Sequence, residues 1–313
     1  MKSFFKSVIL WATVLCVLPA AAAGGIREDK PQSVPAAQSL ILPEDNKLRL
    51  LCTSTGKITE MNIEDYAVFA VLGEVPFIPD AEALKAQVCA ARTYAVRRIL
   101  SGETENGAHI SDDGSKYQTV LTEADAMAVY GVDYDKALAA VKAAANATEG
   151  EIIMYDGAPA AAVFHVSSPG ATESAENVWG KAYPYLASVS SDCTETRREF
   201  TKAEITARIS SEYPEAAEYD GIEILSATET GTVLSVSLCG VSVSGSRLAE
   251  LLSLDSAAFE VSEKEGMVTF TVKGSGHLVG MSICGADELS RKGMGYRDIL
   301  DHYYPGTYIE KMQ

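Results

Sequence analysis

A glutamate and an arginine lie in apolar surroundings within one stretch of the sequence. Glu74 lies in the segment VLGEVPFIP, and Arg92 lies in the helical pattern that follows Pro79. Desolvation raises the pKa of a carboxyl group toward the range useful for a general acid, whereas a nearby guanidinium lowers it. Because a half-buried guanidinium needs a partner, we expect Arg92 to contact Glu74. The same pair could instead be an ordinary ion pair that braces the helix.

A second group of candidate residues lies near the C-terminus. The segment GSGHLVGMS places His277 among glycines, which permit close backbone approach and unusual dihedral angles. This pattern indicates a site loop, although a turn with an exposed imidazole has the same sequence. Ser282 with His277 is a weak hydrolase signal, since no third residue is marked. The aromatic residues of YPYL and HYYPGTY suit a sugar-binding cleft or simply a core.

Several other chemistries are disfavoured. The sequence contains no GxGxxG, no P-loop, no HExxH and no GxSxG elbow. The five cysteines beyond residue 23 form neither a CxxC pair nor a disulfide framework, and we expect no metal and no cofactor. The formal net charge of −17 disfavours nucleic acid as a partner.

The N-terminus has the pattern of an export signal. Lys2 and Lys6 precede the apolar run VILWATVLCVLPAAAA, which ends in small residues. We therefore assign residues 1–23 to a signal peptide or membrane anchor and residues 24–45 to a linker. The expected location is extracytoplasmic, with the protein either anchored or secreted.

The elements that must position the candidate residues can be read from periodicity. Asp80 suits the N-cap of a long helix whose buried stripe repeats at helical spacing: Leu84, Val88, Ala91, Ala95 and Ile99. KLRLLCTS reads as a strand, EADAMAVY and YDKALAAVKAAANATEG as helices, and EIIMYDGAPAAAVFHVSS as a hairpin that turns at Asp156-Gly157. FTKAEITARISSEY and SRLAELLSL read as helices, and FEVSEKEGMVTFTVKGSG as a hairpin.

Helices and strands mix without strict alternation. This predicts an α+β fold with mostly antiparallel sheets over residues 46–313. We expect a bilobed domain with a cleft, with lobes at about residues 46–192 and 193–313.

Three ordered blocks of the sequence resemble the SpoIID/LytB family, the stage II sporulation protein D group. They are VLGEVPFIPDAEALKAQVCAARTYA, FHVSSPGATESAENVWGKAYPYLASV and GSGHLVGMSICGA with the later ILDHYYPGTYI. Together they span nearly all of residues 46–313. The resemblance implies that Glu74 is the catalytic glutamate and that Arg92 belongs to the catalytic site. It further implies substrate-binding roles for Tyr185, His277, Ser282 and Gln87.

The resemblance also implies an activity. Members of the sporulation protein D group are lytic transglycosylases that cleave peptidoglycan glycan strands stripped of stem peptides and leave 1,6-anhydro-muramic acid ends. They work with an amidase and a membrane protein that recruits both enzymes during engulfment. One carboxyl group acts first as acid and then as base, so a second carboxylate is not required.

The sequence departs from the family pattern at several positions. Ser111 and Tyr117 stand where some members have zinc-binding cysteines, so we predict no such zinc site. Leu278 replaces a glycine, Ile283 a glutamine and Ala187 a lysine. Two further hypotheses therefore stand beside the transglycosylase: a binding protein of the LytB type that enhances an amidase, and a sporulation scaffold whose Glu74–Arg92 pair is purely structural.

Overall fold

The computed structural model describes residues 47–74, 77–102, 106–114 and 116–312. The predicted signal segment, residues 1–23, and the predicted linker, residues 24–45, lie outside these ranges. Among the described residues, no helix is both long enough and apolar enough to cross a bilayer.

The helices are distributed along the whole described chain. They are α1 (Ile63–Glu74), α2 (Ala81–Ser101), α3 (Glu123–Tyr130), α4 (Tyr134–Ala147), α5 (Ala175–Trp179), α6 (Lys202–Glu212), α7 (Gly245–Leu252), α8 (Ile283–Arg291) and α9 (Tyr296–Tyr303), with a 3₁₀ turn at Gly131–Asp133.

The strands are mostly short. They are β1 (Lys47–Cys52), β2 (Lys57–Asn62), β3 (Ile110–Ser111), β4 (Glu151–Tyr155), β5 (Ala158–Pro159), β6 (Phe164–His165), β7 (Pro169–Ala171), β8 (Ser190–Cys193), β9 (Glu195–Thr201), β10 (Ile222–Ala227), β11 (Val233–Leu238), β12 (Val241–Ser244), β13 (Phe259–Lys264), β14 (Met267–Lys273), β15 (Met281–Ser282) and β16 (Tyr308–Lys311).

These strands form small sheets whose pairs are mostly antiparallel. The sheet orders are β2-β1-β3, β10-β11-β12, β13-β14-β9, β15-β6, β16-β4-β5 and β7-β8, and the β1–β3 pair is parallel. Helices and antiparallel sheets therefore mix without βαβ repetition, which confirms the predicted α+β class.

The contacts of the described chain divide it into two compact units. One is the continuous segment His165–Ser282, here called the inserted unit, and the other, the flanking unit, combines the described residues before and after it. This division differs from the lobes expected at 46–192 and 193–313. The C-terminal helices α8 and α9 fold with the N-terminal half of the chain, which a boundary placed by sequence texture does not reveal.

The flanking unit is built around α1 and α2. Helix α1 is apolar on nearly every side and buries Tyr66, Ala67, Ala70 and Val71. All five predicted stripe residues of α2 are buried. Asp80 stands at its N-cap with extended backbone, as predicted, but its side chain makes no capping bond. Instead Asp80 Oδ1 accepts a hydrogen bond from Ser290 of α8.

The second strand of the predicted hairpin is shorter than expected, because β5 ends at Pro159 and β6, which holds His165, pairs with β15 instead. The predicted turn at Asp156-Gly157 is confirmed. Strands β4 and β5 pair across it, and both turn residues have positive φ, 49° for Asp156 and 76° for Gly157. This is the backbone of a tight two-residue hairpin turn.

The inserted unit has an aromatic core of its own. The ring of Phe270 makes edge contacts with Phe200 at 5.8 Å and with Phe259 at 5.5 Å between centroids. Strand β14 alternates half-buried and buried residues, as a strand with one covered face does. The helix predicted from Phe200 begins instead at Lys202, since Phe200 belongs to β9 and Thr201 forms a capping box with Glu204.

Candidate active site

Glu74 is the last residue of α1, and its side chain is half-buried. The sequence marked the surrounding segment as apolar without assigning it to a helix. The helix places the Glu74 carboxyl at the C-terminal end of a buried element. A carboxylate is disfavoured there because the partial negative charge of the helix C-terminus opposes it.

The segment 117–121 lies along the C-terminal half of α1. Thr119 N donates a hydrogen bond to Glu74 Oε1 at 3.2 Å, and Leu121 N donates to Phe69 O at 3.4 Å. The hydroxyl of Tyr66 donates to Gln118 Oε1 at 2.8 Å. These bonds link the segment to three positions of the helix.

Gly73 makes this close approach possible. A Cβ atom at Gly73 would lie 2.7 Å from the carbonyl oxygen of Thr119. Any side chain at Gly73 would push the segment away from the helix. The Thr119 N–H, which donates to the Glu74 carboxyl, would move with the segment.

Burial raises the pKa of Glu74 from its ordinary value of 4.5 to about 7, and the Thr119 N–H opposes the shift. Among the residues that the structure describes, neither a cation nor a second carboxylate contributes to this shift. Part of the Glu74 population therefore carries its proton at neutral pH. Such a carboxyl can donate a proton and take one back.

Glu74 affects the pKa of two tyrosines, the buried Tyr66 and the half-buried Tyr94. Desolvation raises the pKa of Tyr66 and of Tyr94, and the charge of Glu74 contributes in the same direction for both, while Arg98 opposes it. These tyrosines therefore stay neutral.

The predicted contact between Arg92 and Glu74 was wrong. Arg92 is fully buried and binds Glu64 with two hydrogen bonds, from Nε at 2.7 Å and Nη2 at 2.6 Å. Its Nη1 also donates to the carbonyl of Glu151 at 2.8 Å. Glu64 in turn accepts from Gly150 N at 3.1 Å. The arginine thus ties the start of α1 to α2 and to the start of β4.

Glu64 and Glu74 lie at opposite ends of α1. Ten residues separate them, which corresponds to about 15 Å along a helix. The structure therefore does not bring Arg92 to the Glu74 carboxyl. Sequence reasoning missed Glu64 because that residue lies in the polar segment KITEMNIEDY. Its position in the first turn of α1 becomes visible only once the helix is recognised.

Gln87 is the remaining sequence-predicted residue of the flanking unit. It lies on α2 and is 1% exposed. Neither its amide oxygen nor its amide nitrogen has a hydrogen-bond partner within the described part of the chain. Such a buried, unpaired amide is costly, and its assignment to substrate binding stays a prediction.

The inserted unit holds Tyr185, His277 and Ser282. Tyr185 is buried and lies 5.8 Å from Tyr183 between ring centroids. His277 is half-buried, and its Nδ1 accepts a hydrogen bond from Val279 N at 3.1 Å. Ser282 is fully buried and donates to Asp192 Oδ1 at 2.6 Å. The hydroxyl of Ser282 therefore points at a carboxylate.

His165 is the buried histidine of the inserted unit. Its Nδ1 lies 3.1 Å from the carbonyl of Val279, and its Nε2 lies 2.9 Å from the hydroxyl of Ser168. Burial lowers the pKa of His165 to about 3. This imidazole is neutral and donates from Nδ1 to the carbonyl, so it joins strand β6 to the glycine-rich segment as a structural residue.

The positions compared with zinc ligands are occupied by other interactions. Ser111 is buried in β3 and accepts a hydrogen bond from Asp113 N at 3.3 Å, and Tyr117 packs under the Arg98 guanidinium at 5.2 Å. Within the described residues, no group of His, Cys, Asp or Glu side chains is arranged to hold a metal ion.

Comparison with known proteins adds the family context. The family model described as SpoIID, stage II sporulation protein, matches residues 52–155. The chain is 32% identical over 268 residues to stage II sporulation protein D of Bacillus subtilis, covering 83% of this chain and 77% of that protein. The protein of the same name from Bacillus amyloliquefaciens matches with the same identity and the same coverage. The amidase enhancer of Bacillus subtilis is 27% identical over 294 residues, which cover 75% of this chain and 39% of that protein.

Proposed function

The chain belongs to the stage II sporulation protein D family, and from this premise we propose that it is a peptidoglycan lytic transglycosylase with Glu74 as its general acid and base. The proposed substrate is the glycan strand stripped of stem peptides. The proposed setting is sporulation, outside the cytoplasmic membrane, where the protein is exported and either anchored or secreted. An amidase and a recruiting membrane protein are the proposed partners.

One observation carries the proposal. The Glu74 carboxyl is half-buried, is bonded by the Thr119 N–H and has a pKa raised to about 7 by desolvation. A general acid works best when its pKa lies near the working pH. Glu74 meets this requirement because desolvation raises its pKa to about 7.

The reaction can be written with one carboxyl group. Protonated Glu74 gives its proton to the glycosidic oxygen as the bond from that oxygen to the anomeric carbon breaks. The C6 hydroxyl oxygen of the same sugar then bonds to the anomeric carbon, and the Glu74 carboxylate takes the hydroxyl proton. No water is consumed, and Glu74 ends protonated as it began, so a second protein carboxylate has no required role.

The experiment uses peptide-free glycan strands and mass spectrometry of the products. We expect products that end in 1,6-anhydro-muramic acid with the wild-type protein and none with Glu74→Gln. Glu215→Gln, which changes an exposed glutamate of the inserted unit, is the matched control and should cleave normally. Cleavage at the normal rate by Glu74→Gln would refute the assignment, and hydrolytic products without anhydro ends would refute the reaction.

The second candidate function is enhancement of an amidase without glycan cleavage. It is favoured by the similarity to the Bacillus subtilis amidase enhancer. It is also favoured by the segment GSGHLVGMSI, in which the apolar Leu278 and Ile283 replace a glycine and a glutamine and are both buried. A purified protein that raises the rate of an amidase but produces no anhydro ends would support this candidate over the first.

A further inference from the structure

Trp179 is a half-buried aromatic residue that the predicted site did not include. It is the last residue of α5, and its indole ring lies 5.3 Å from the imidazole of His277 between centroids. Both residues belong to the inserted unit. Part of the indole is covered by His277, and part remains open to solvent.

A buried carboxylate fixes the helix that carries Trp179. Glu173 is fully buried, and its Oε1 accepts hydrogen bonds from Thr228 Oγ1 at 2.5 Å and from Thr230 Oγ1. Its Oε2 accepts from Asn177 Nδ2 of α5 at 3.4 Å. The described hydrogen bonds and ion pairs of Glu173 include no cation. Burying a carboxylate in this way is costly, so the network indicates a loop that has to hold one position.

The same loop is bonded to the segment that carries His277. Glu173 N donates to Leu278 O at 2.7 Å. Ala175 N donates instead to Leu186 O at 3.0 Å, which ties the start of α5 to a different segment. The two sides of the Trp179–His277 contact are thus held to each other by the backbone, one residue from His277. The backbone hydrogen bond between Glu173 and Leu278 therefore helps to fix the relative position of the two rings, together with their own contact.

The backbone around His277 is strained. Leu278 has φ of 67°, although it is not glycine, and its side chain is buried. Gly274, Gly276 and Gly280 also have positive φ. Left-handed backbone at a residue other than glycine is strained, and such strain clusters at functional sites. His277 Nδ1 accepts from Val279 N, so in the neutral ring the proton is on Nε2, which is a donor.

We propose that the indole of Trp179, held by its contact with His277, is a stacking platform for a pyranose ring of the N-acetylated glycan strand. The inference rests on the proposed function, because that function names the glycan. The axial C–H groups of a pyranose present an apolar face, and the indole offers a flat apolar surface of matching size. The acetamido methyl of an N-acetylated sugar adds further apolar area to such a contact.

Simple packing is the alternative. A tryptophan that only covers His277 would also be half-buried. Packing alone, however, gives no reason for the buried Glu173 network beneath α5 or for the left-handed Leu278 beside His277.

The test exploits the two tryptophans of the chain, Trp11 and Trp179. In the full chain with Trp11→Phe, tryptophan emission reports Trp179 alone. Adding Glu74→Gln prevents cleavage during the titration. We expect tetra-N-acetylchitotetraose to change the emission in a saturable way, and a glucose tetramer without acetamido groups to have a weaker effect.

Binding is also measured by calorimetry on variants of the same protein. Trp179→Ala should weaken binding about five- to tenfold, and Trp179→Phe, which keeps an aromatic face, should retain most of it. Thermal unfolding of both variants checks that they fold. Unchanged affinity in a folded Trp179→Ala, or no binding by the parent at millimolar tetramer, would overturn the proposal.

The two hypotheses fail in different ways. Binding that depends on Trp179, together with no cleavage by the protein carrying Glu74, would sink the transglycosylase and leave the platform. Cleavage with anhydro products, together with an unchanged KM and unchanged tetramer binding in Trp179→Ala, would sink the platform and leave the enzyme.

Discussion

At the residue scale, Glu74 and Arg92 show two ways of holding a charged group away from water. Arg92 has its charge balanced by a bidentate bond to Glu64 and is fully buried. Glu74 has one described backbone donor, and its pKa is raised to about 7. A paired charge of the first kind is structural, whereas an unpaired carboxyl of the second kind is available for proton transfer.

The raised pKa of Glu74 has a consequence for stability that needs no substrate. Between its ordinary value of 4.5 and about 7, the folded state binds the proton more tightly than the unfolded state. The contribution of Glu74 to stability is therefore present below pH 4.5 and is lost as the pH rises through 7. The uncharged amide introduced by Glu74→Gln does not titrate, so that variant lacks this pH dependence.

We expect the unfolding free energy of the wild type, relative to Glu74→Gln, to fall by about 1–3 kcal/mol between pH 4.5 and pH 8. Denaturant unfolding at the two pH values measures it. A difference that stays constant, or grows with pH, would contradict the raised pKa.

Arg92→Lys should be strongly destabilising although it keeps the charge. An ammonium group cannot reproduce the two bonds to Glu64 together with the bond to Glu151 O. We expect a loss of about 2–4 kcal/mol in the free energy of unfolding, without a shift in the pH dependence assigned to Glu74.

Arg297→Lys is the matched control for that variant. Arg297 pairs with Glu151 at 2.6 Å, but its side chain is 55% exposed, so the change should cost less than about 1 kcal/mol. Equal effects of the two substitutions would show that burial of Arg92 is not what matters.

At the element scale, α1 sets the position of both glutamates. Sequence periodicity identified α2 and its buried stripe because apolar residues recur there at helical spacing, with polar residues between them. Helix α1 is apolar on nearly all sides, so it shows no such period and was read only as an apolar segment. The wrong pairing of Arg92 follows from this, since proximity in sequence favoured Glu74 over a glutamate ten residues earlier.

The contact between α1 and the segment 117–121 yields a prediction of its own. In an exposed helix, glycine to alanine stabilises by about 0.5–1 kcal/mol. In Gly73→Ala the added methyl would meet Thr119 O at 2.7 Å, and we expect a net destabilisation of about 1–3 kcal/mol instead. Denaturant unfolding at pH 7 measures the change.

Gly295→Ala provides the comparison, because its Cβ would meet no atom closer than 3.8 Å. That variant should change the unfolding free energy by less than about 1 kcal/mol. Stabilisation by Gly73→Ala would mean that the segment 117–121 does not lie against α1 as described.

At the scale of the whole molecule, the chain consists of a flanking unit and an inserted unit. The α+β class followed from the mixture of local patterns. Residue type and context singled out Glu74, Arg92, His277 and Ser282, and the family resemblance added Tyr185 and Gln87. The unit boundaries could not be predicted from the sequence, because they depend on α8 and α9 packing with the N-terminal half of the chain. The sequence did not single out Glu173 or Trp179, because their partners are distant in the chain. Glu173 contacts Thr228, and Trp179 contacts His277, so the two contacts join segments about 50 to 100 residues apart.

The inserted unit has its own core and should fold alone. Its buried residues include Phe200, Phe259 and Phe270. We expect a fragment of residues 165–282 to unfold cooperatively in denaturant, and Phe270→Ala to remove about 3–5 kcal/mol or abolish folding. A fragment without a cooperative transition would show that this core depends on the rest of the chain.

The role of Glu74 as general acid is tested most directly by the rate of anhydro-end formation on peptide-free glycan strands as a function of pH. If Glu74 is the acid and its pKa is about 7, kcat/KM should decline above neutral pH with a midpoint near that value. Formation of anhydro ends at a rate that still rises between pH 7 and pH 9, or no anhydro ends at any pH, would contradict the account.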